Sequence, residues 1–147
     1  MKRLILLIAP LVGALCNVSA QDRLHSTHTS TTKSDEIKSF ITQMYNNKLY
    51  EDYDFLQKHC SAELLKKLQD AYPYDTDGTA YATWLFRSGK QDSKPGADNK
   101  TIMLEVKMDG DWFVYTALDM GWKFTNKIRI ADKRGEIIIE DVCAVKK

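Results

Sequence analysis

Hydrophobic residues follow a helical period in the first half of the chain and a strand period in the second. After Ser34, apolar side chains recur at offsets of 0, 3, 4, 7 and 8, which places them on one face of an amphipathic helix. Ser34 is the predicted N-cap, and Asp35 and Glu36 suit the first turn because the helix dipole favours negative charge there. The residues on this face are Ile37, Phe40, Ile41, Met44 and Tyr45.

Two shorter helices are predicted to follow. Apolar residues between Leu49 and Leu56 indicate the second, and Ser61 is the predicted N-cap of the third, which Pro73 ends. The segment 79–88 is apolar without a clear period, and we interpret it as a short helix that leads into the polar loop 89–100.

From Thr101 onward the period changes to two. Apolar and polar residues alternate up to Met108, and Asp109-Gly110 is a hairpin signal. The segment 112–118 is apolar on both faces, as in a central strand, and 122–145 predicts two further strands joined by a charged turn. Helices followed by about four antiparallel strands predict an α+β fold with the N-terminal helices packed on the sheet.

The last two strands carry two polar exceptions within apolar rows, Asn126 and Asp141. A turn formed by residues 132–135 would place Asn126 opposite Asp141 and Lys127 opposite Glu140, an opposite-charge pair. A two-residue turn would instead place Asp141 opposite Ile128. The first register is the one we predict.

Three interpretations of the Asn126–Asp141 pair stay open at this stage. It is a structural hydrogen bond between buried groups, polar recognition inside a ligand pocket, or a site in which a shielded Asp141 acts as general base. The candidate ligand-binding residues are Asn126, Asp141, Trp122, Phe124 and Tyr115. Asp119 directly follows the predicted strand 112–118 and is interpreted as a strand-end turn residue.

Residues 1–20 have the layout of a secretory signal peptide. Lys2 and Arg3 precede an apolar run of about a dozen residues, and Val18 and Ala20 are the small residues expected before the cleavage site. The predicted organisation is a signal peptide over 1–20, a flexible leader over 21–33 that is rich in Ser and Thr, and a single α+β domain over 34–147. The predicted location is periplasmic or secreted, with no membrane span after cleavage.

Composition excludes several classes of function. Removal of Lys2 and Arg3 from the 21 basic residues leaves 19 against 20 acidic ones, so no basic excess indicates nucleic-acid binding. The chain lacks a Gly-rich phosphate loop, a G-x-S-x-G elbow and a Cys/His zinc spacing, so neither a cofactor nor a metal is predicted. Cys60 and Cys143 would form a disulfide that encloses 84 residues, from 60 to 143 inclusive, or would stay as packed free thiols.

Three segments resemble the nuclear transport factor 2-like superfamily, and within it the small secreted bacterial proteins classed as a domain of unknown function. They are "ITQMYNNKLYEDYDFL", "YATWLFRSGKQD" and the closing "GEIIIEDV", which is similar to a terminal W-x-I-D-D-V pattern although Glu140-Asp141 stands where two Asp residues are usual. The resemblance implies a strongly curved antiparallel sheet closed by helices into a cone, often with a cavity. It implies no catalytic set, since members include both enzymes and binding modules.

The function expected from the sequence is a non-catalytic binding module that recognises a small molecule or peptide in a cone-shaped pocket. One alternative is an isomerase- or hydrolase-type enzyme with Asp141 as general base. Another is a protein–protein interaction module, including a homodimer, that acts through the outer face of the sheet.

Overall fold

The computed structural model describes residues 21–74, 77–98 and 100–145, with side chains from Lys33 onward. Three helices precede a four-stranded antiparallel sheet, which confirms the α+β fold class. The helices are α1 (Gln21–Asn46), α2 (Tyr53–His59) and α3 (Ala62–Asp70), and short 3₁₀ turns span Leu49–Glu51 and Thr83–Phe86. The strands are β1 (Thr101–Asp109), β2 (Trp112–Asp119), β3 (Trp122–Lys133) and β4 (Glu136–Ala144).

The N-terminal boundaries differ in part from the predicted ones. Helix α1 begins at Gln21, so Ser34 lies inside the helix and is not its cap, and the segment 21–33 predicted as a leader is helical. Each Ser or Thr in a helix costs only about 0.5 kcal/mol relative to Ala, so these residues do not force a helix to end. The predicted signal peptide lies outside the described residues. No described helix has the length and apolar character needed to span a membrane.

The caps of the two shorter helices follow from side-chain hydrogen bonds. Asp52 accepts a hydrogen bond from the Phe55 amide at the start of α2. Ser61, the predicted cap, accepts one from the Leu64 amide at the start of α3. Each oxygen satisfies a backbone N–H that has no partner within its helix, and this sets where the helix begins.

The sheet is a meander with the order β1-β2-β3-β4, so β2 is central, as its apolar sequence predicts. Alternate residues of β2 are buried on the inner face of the sheet, namely Phe113, Tyr115, Ala117 and Asp119. The apolar face of α1 packs on this inner face. At the C-terminal end of α1, the Asn46 side chain accepts a hydrogen bond from the Met103 amide of the edge strand β1, at 3.0 Å. This contact ties the helix end to the sheet.

The β3–β4 register is not the predicted one. Arg134 and Gly135 alone form the turn, and their φ angles of 60° and 87° are positive, as a two-residue type I′ hairpin turn requires. Lys133 therefore pairs with Glu136, and the strands are longer than predicted. The I′ turn is favoured because its twist matches the right-handed twist of the strands it joins.

A bulge then shifts the ladder a second time. Ile130 pairs with Ile139, whereas Arg129 pairs with Asp141, so Glu140 is the extra residue. Asn126 lies opposite Ala144 instead of Asp141, and the predicted Asn126–Asp141 pairing is wrong. The predicted Lys127–Glu140 pairing is wrong for the same reason.

Cys60 and Cys143 are free thiols. Cys60 forms an isolated β-bridge with Ile139, which is four residues from Cys143 along β4 and so about 12 Å away. A disulfide needs Cα atoms within about 7 Å, so this placement keeps the two sulfurs apart. Burial raises the pKa of the Cys60 thiol to about 12, as expected for an unreactive packed cysteine.

Candidate functional site

Asn126 is a buried structural donor. Its side chain is only 2% exposed, and its Nδ2 donates hydrogen bonds to the backbone oxygens of Leu85 and Arg87, at 3.3 and 3.1 Å. These two carbonyls belong to the segment around the second 3₁₀ turn, which lies against the inner face of the sheet. Asn126 therefore holds that segment in place.

Asp141 lies elsewhere, on the outer face of β4. Its Oδ1 accepts hydrogen bonds from Lys67 Nζ at 2.6 Å and from the Val142 amide at 2.8 Å. Its side chain is 29% exposed. Because Arg129, its partner in the ladder, is three residues from Asn126, about 10 Å separates the two predicted site residues along the strand.

The three aromatic candidates do not converge on a pocket either. Tyr115 is fully buried, accepts a hydrogen bond from the Tyr45 hydroxyl at 2.6 Å and donates one to the Phe86 carbonyl at 3.1 Å. Phe124 packs against Tyr45 and Tyr115 with ring centroids 6.2 and 6.1 Å apart. The indole of Trp122 donates to the Asp92 carbonyl at 2.9 Å and anchors the loop 89–98.

Asp119, interpreted from the sequence as a turn residue, is the centre of a buried polar cluster. Its side chain is 0% exposed, and Arg87 contacts both of its carboxylate oxygens at 3.1 to 3.3 Å. The Ser88 hydroxyl donates to Oδ2 at 2.8 Å. Burial opposes ionisation of this carboxyl, but the hydrogen bonds and charge of Arg87 and the hydrogen bonds of Ser88 outweigh it, so the pKa of Asp119 lies below its ordinary value.

The lowered pKa of Asp119 makes stability depend on pH. Because the folded protein binds this proton less readily than the unfolded chain, the Asp119 contribution is present above the ordinary Asp pKa, about 3.9, and is lost as pH falls through the folded value. We expect the difference in free energy of unfolding between the wild type and Asp119→Asn to shrink below about pH 4. Urea unfolding at several pH values measures it. Parallel pH profiles for the two proteins would contradict the role of the ionised carboxylate.

The buried tyrosines offer no proton-transfer group. Burial, together with the neighbouring Tyr115, raises the pKa of Tyr45 well above its ordinary value, and burial likewise raises the pKa of Tyr115. Both hydroxyls are therefore neutral, and each is engaged by the other. This hydrogen-bonded pair fixes the position of α1 on the sheet.

A cleft of about 870 Å³ opens between one side of α1 and the end of the sheet that carries the β1–β2 hairpin. This volume falls within the range of small-molecule sites, roughly 300–1,000 Å³. Its lining residues come from α1, from the β1–β2 hairpin and from the bulged part of β3 and β4. They are Lys33, Ser34, Asp35, Ile37, Lys38, Met108, Gly110, Asp111, Phe113, Arg129, Ile130 and Glu140.

The interior of the cleft is apolar, and its rim is charged. Ile37 and Phe113 are 8% and 5% exposed, and Ile130 is partly buried against the core. Met108 stands at the rim with 60% of its surface exposed. An apolar interior with a few polar groups around it is the usual composition of a ligand site.

Two features of the backbone shape this cleft. Gly110 has a φ angle of 59°, a left-handed conformation that suits glycine, and it turns the chain between Asp109 and Trp112. The bulge at Glu140 brings Arg129 and Ile130 to the opposite wall. Bulges are common beside binding sites because they redirect side chains that a regular ladder would hold in alternation.

Every cation of the cleft already has an anionic partner. Lys33 Nζ lies 2.9 Å from Asp132, Lys38 Nζ lies 3.2 Å from Asp35, and Arg129 Nε lies 3.4 Å from Glu140. Arg129 also stacks over the Trp112 ring, 5.2 Å from its centroid, although its Nε makes no hydrogen bond within the described part of the chain. The described residues contain no cluster of His, Cys, Asp and Glu suited to a metal ion.

Asp111 differs from the other charged residues of the cleft. Its side chain is exposed, and its carboxylate has no ion pair or hydrogen bond within residues 33–74, 77–98 and 100–145. The lining residues comprise three cations (Lys33, Lys38 and Arg129) and three carboxylates (Asp35, Asp111 and Glu140), so their formal charges balance. Asp111 is the carboxylate of this set that has no ion-pair partner in the described part of the chain.

None of the five candidate residues predicted from the sequence lines the cleft formed by the described residues. The sequence analysis missed the residues that line the cleft because their positions depend on how α1 crosses the sheet. A sequence signal existed at the hairpin, where Met108 and Phe113 flank Asp109-Gly110-Asp111. That signal predicts a turn but does not predict which residues of α1, β3 and β4 line the cleft with it.

Comparisons with known proteins bear on the fold alone. No known family matches the chain, and no curated protein matches it in sequence. A solved structure of a protein of unknown function from Bacteroides thetaiotaomicron is similar with a TM-score of 0.50 and 14% sequence identity. The similarity covers 79% of this chain and 98% of that one, so the arrangement of helices and sheet occurs in another protein.

Proposed function

We propose that this protein is an exported, non-catalytic binding module of the nuclear transport factor 2-like type, and that the cleft between α1 and the sheet holds its ligand. Export is proposed from the signal-peptide layout of residues 1–20. The observation that supports binding is the cleft itself, with apolar Ile37, Phe113 and Ile130 inside and charged side chains at the rim.

The state of the acidic groups favours binding over catalysis. Asp141, the predicted general base, is partly exposed and is bound by the Lys67 ammonium group at 2.6 Å, so water is not excluded from it as proton transfer requires. Asp119 is buried, but its pKa is lowered and its oxygens are occupied by Arg87 and Ser88, which makes it a weak base. Neither carboxylate lines the cleft.

A thermal-shift screen of the chain from Gln21 onward tests whether the native state binds a ligand. A ligand that binds only the folded protein must raise the melting temperature as its concentration rises above Kd. Small apolar metabolites and short peptides are the compounds to screen, because the interior of the cleft is apolar. If no compound in such a screen raises the melting temperature, the proposed function is not supported.

Met108→Gln is expected to weaken binding of any screened ligand about fivefold. Gln has nearly the length of Met, so the rim keeps its shape and loses an apolar contact worth about 1 kcal/mol. Isothermal titration of the wild type and the variant measures the change. Met108 is 60% exposed, so the substitution should alter stability by less than about 0.5 kcal/mol.

Leu104→Gln is the matched control for this experiment. Leu104 lies on the same strand and is 49% exposed, but it does not line the cleft. Its replacement should leave the affinity unchanged. A loss of affinity in the Leu104 variant, with none in the Met108 variant, would place the ligand at the edge of β1 and overturn the cleft as the site.

A further inference from the structure

The pattern of ion pairs in the cleft indicates which class of ligand it accepts. The cations of the rim are compensated by Asp132, Asp35 and Glu140, whereas the Asp111 carboxylate has no partner among the described side chains. An anionic ligand would compete with carboxylates that already hold the cations. A cationic ligand would meet a free carboxylate beside an apolar interior.

We infer that the cleft selects small amphiphilic cations, with an ammonium or guanidinium group at Asp111 and an apolar body against Ile37, Phe113 and Ile130. This inference rests on the proposed function, since it assigns a ligand class to the same cleft. Asp111 lies in the turn between β1 and β2 and lines the cleft there, whereas Ile37, Phe113 and Ile130 supply its buried apolar part. The next residue, Trp112, carries Lys127 and Arg129 over its ring, at 4.5 and 5.2 Å from the centroid.

Arg129 is the group that could reverse this preference. Its Nε makes no hydrogen bond among the described residues, but the atom is buried, so a ligand acceptor would reach it only if neighbouring groups moved. Its guanidinium pairs with Glu140 at 3.4 Å, a carboxylate that it shares with Lys133 at 3.6 Å, and it lies over the Trp112 ring at 5.2 Å from the centroid. The Asp111 carboxylate is therefore the charged group of the lining that is left for a ligand to pair with among the described residues.

The test uses three probes with the same apolar chain and different head groups: n-octylammonium, 1-octanol and octanoate. Titrations followed by amide chemical shifts give the affinity of each probe and show whether it contacts the cleft. We expect octylammonium to bind about threefold to fivefold more tightly than octanol, because an exposed ion pair contributes modestly. Octanoate should bind more weakly than octanol, and the preference should diminish in high salt.

Asp111→Asn and Asp109→Asn form a matched pair of variants. Both aspartates are exposed, lie on either side of Gly110 and lack a described partner, but only Asp111 lines the cleft. In Asp111→Asn, octylammonium should lose its advantage while octanol binds as before. Asp109→Asn should behave as the wild type, because its carboxylate lies outside the cleft.

The outcomes separate this inference from the proposed function. If all three probes bind in the cleft with equal affinity, or if octanoate binds best, the cleft is a binding site and the inference about cations is wrong. If Asp109→Asn and Asp111→Asn reduce octylammonium binding equally, the effect is a general attraction and the inference again fails. If no probe shifts any cleft resonance at high concentration, the proposed function fails together with the inference.

Discussion

Asp119→Asn is expected to lower the free energy of unfolding by about 3 kcal/mol. The substitution preserves the shape of the side chain but removes the carboxylate that Arg87 contacts at 3.1 Å. Arg87, whose side chain is only 23% exposed, keeps the partly exposed Glu51 carboxylate at 3.5 Å. Removal of one partner of a buried ion pair costs about 3–5 kcal/mol, and the partial exposure of Arg87 favours the lower end. Chemical denaturation at pH 7 measures this loss.

Asp98→Asn is the control for the Asp119 experiment. Asp98 forms an ion pair with Lys100 at 2.9 Å, but both side chains are largely exposed, so its replacement should cost far less stability than that of Asp119. Ser88→Ala removes one hydrogen bond to Asp119 and should cost about 1 kcal/mol, which gives a milder measurement of the same cluster. Equal effects of Asp98→Asn and Asp119→Asn would show that the cluster does not stabilise the fold.

Asn126→Asp is expected to lower the free energy of unfolding by about 3 kcal/mol at pH 7. It replaces an amide that donates to the Leu85 and Arg87 carbonyls by a carboxylate that repels both, at a position only 2% exposed. The new carboxyl should have a raised pKa, because burial without a cationic partner disfavours its charge. The destabilisation should therefore be smaller near pH 4 than at pH 7, since a raised pKa costs stability only as pH rises above the unfolded value.

The matched control is Asn46→Asp. Asn46 accepts a hydrogen bond from the Met103 amide through Oδ1, and a carboxylate accepts that bond equally well. Its negative charge at the C-terminal end of α1 is unfavourable by about 0.3–1 kcal/mol, so only a small loss is expected. If Asn126→Asp is no worse than Asn46→Asp, Asn126 is not the donor that holds the 85–87 segment.

Local sequence patterns correctly predicted those features of the helices and strands that depend on residues close together in the chain. The Ser61 cap, the strand period after Thr101 and the central position of β2 each depend on side chains within a few residues. The start of α1 was wrong because Ser34 also fits inside a helix, and the sequence contains no signal strong enough to exclude an earlier start.

The predicted pairing of Asn126 with Asp141 is wrong because the β3–β4 hairpin differs from the predicted one. The prediction assumed a four-residue turn and a regular ladder, whereas the hairpin has a two-residue turn and an extra residue at Glu140. A shift of this size moves a side chain to a different partner, and one residue of shift moves it to the other face. Asn126 is indeed a satisfied structural donor, but its acceptors are backbone carbonyls 39 and 41 residues away.

The sequence by itself determined the α+β class, the order of helices before strands and the polar exceptions that had to be satisfied, because these follow from periodicity and from the cost of burying unpaired polar groups. The tertiary structure decided which groups meet. Asp119 forms an ion pair with Arg87, Asp141 forms one with Lys67, and Asp111 lies beside an apolar cleft without a described partner. The two ion pairs join residues 32 and 74 positions apart. Their geometry depends on how the helices cross the sheet and on strand register, which local sequence patterns do not encode.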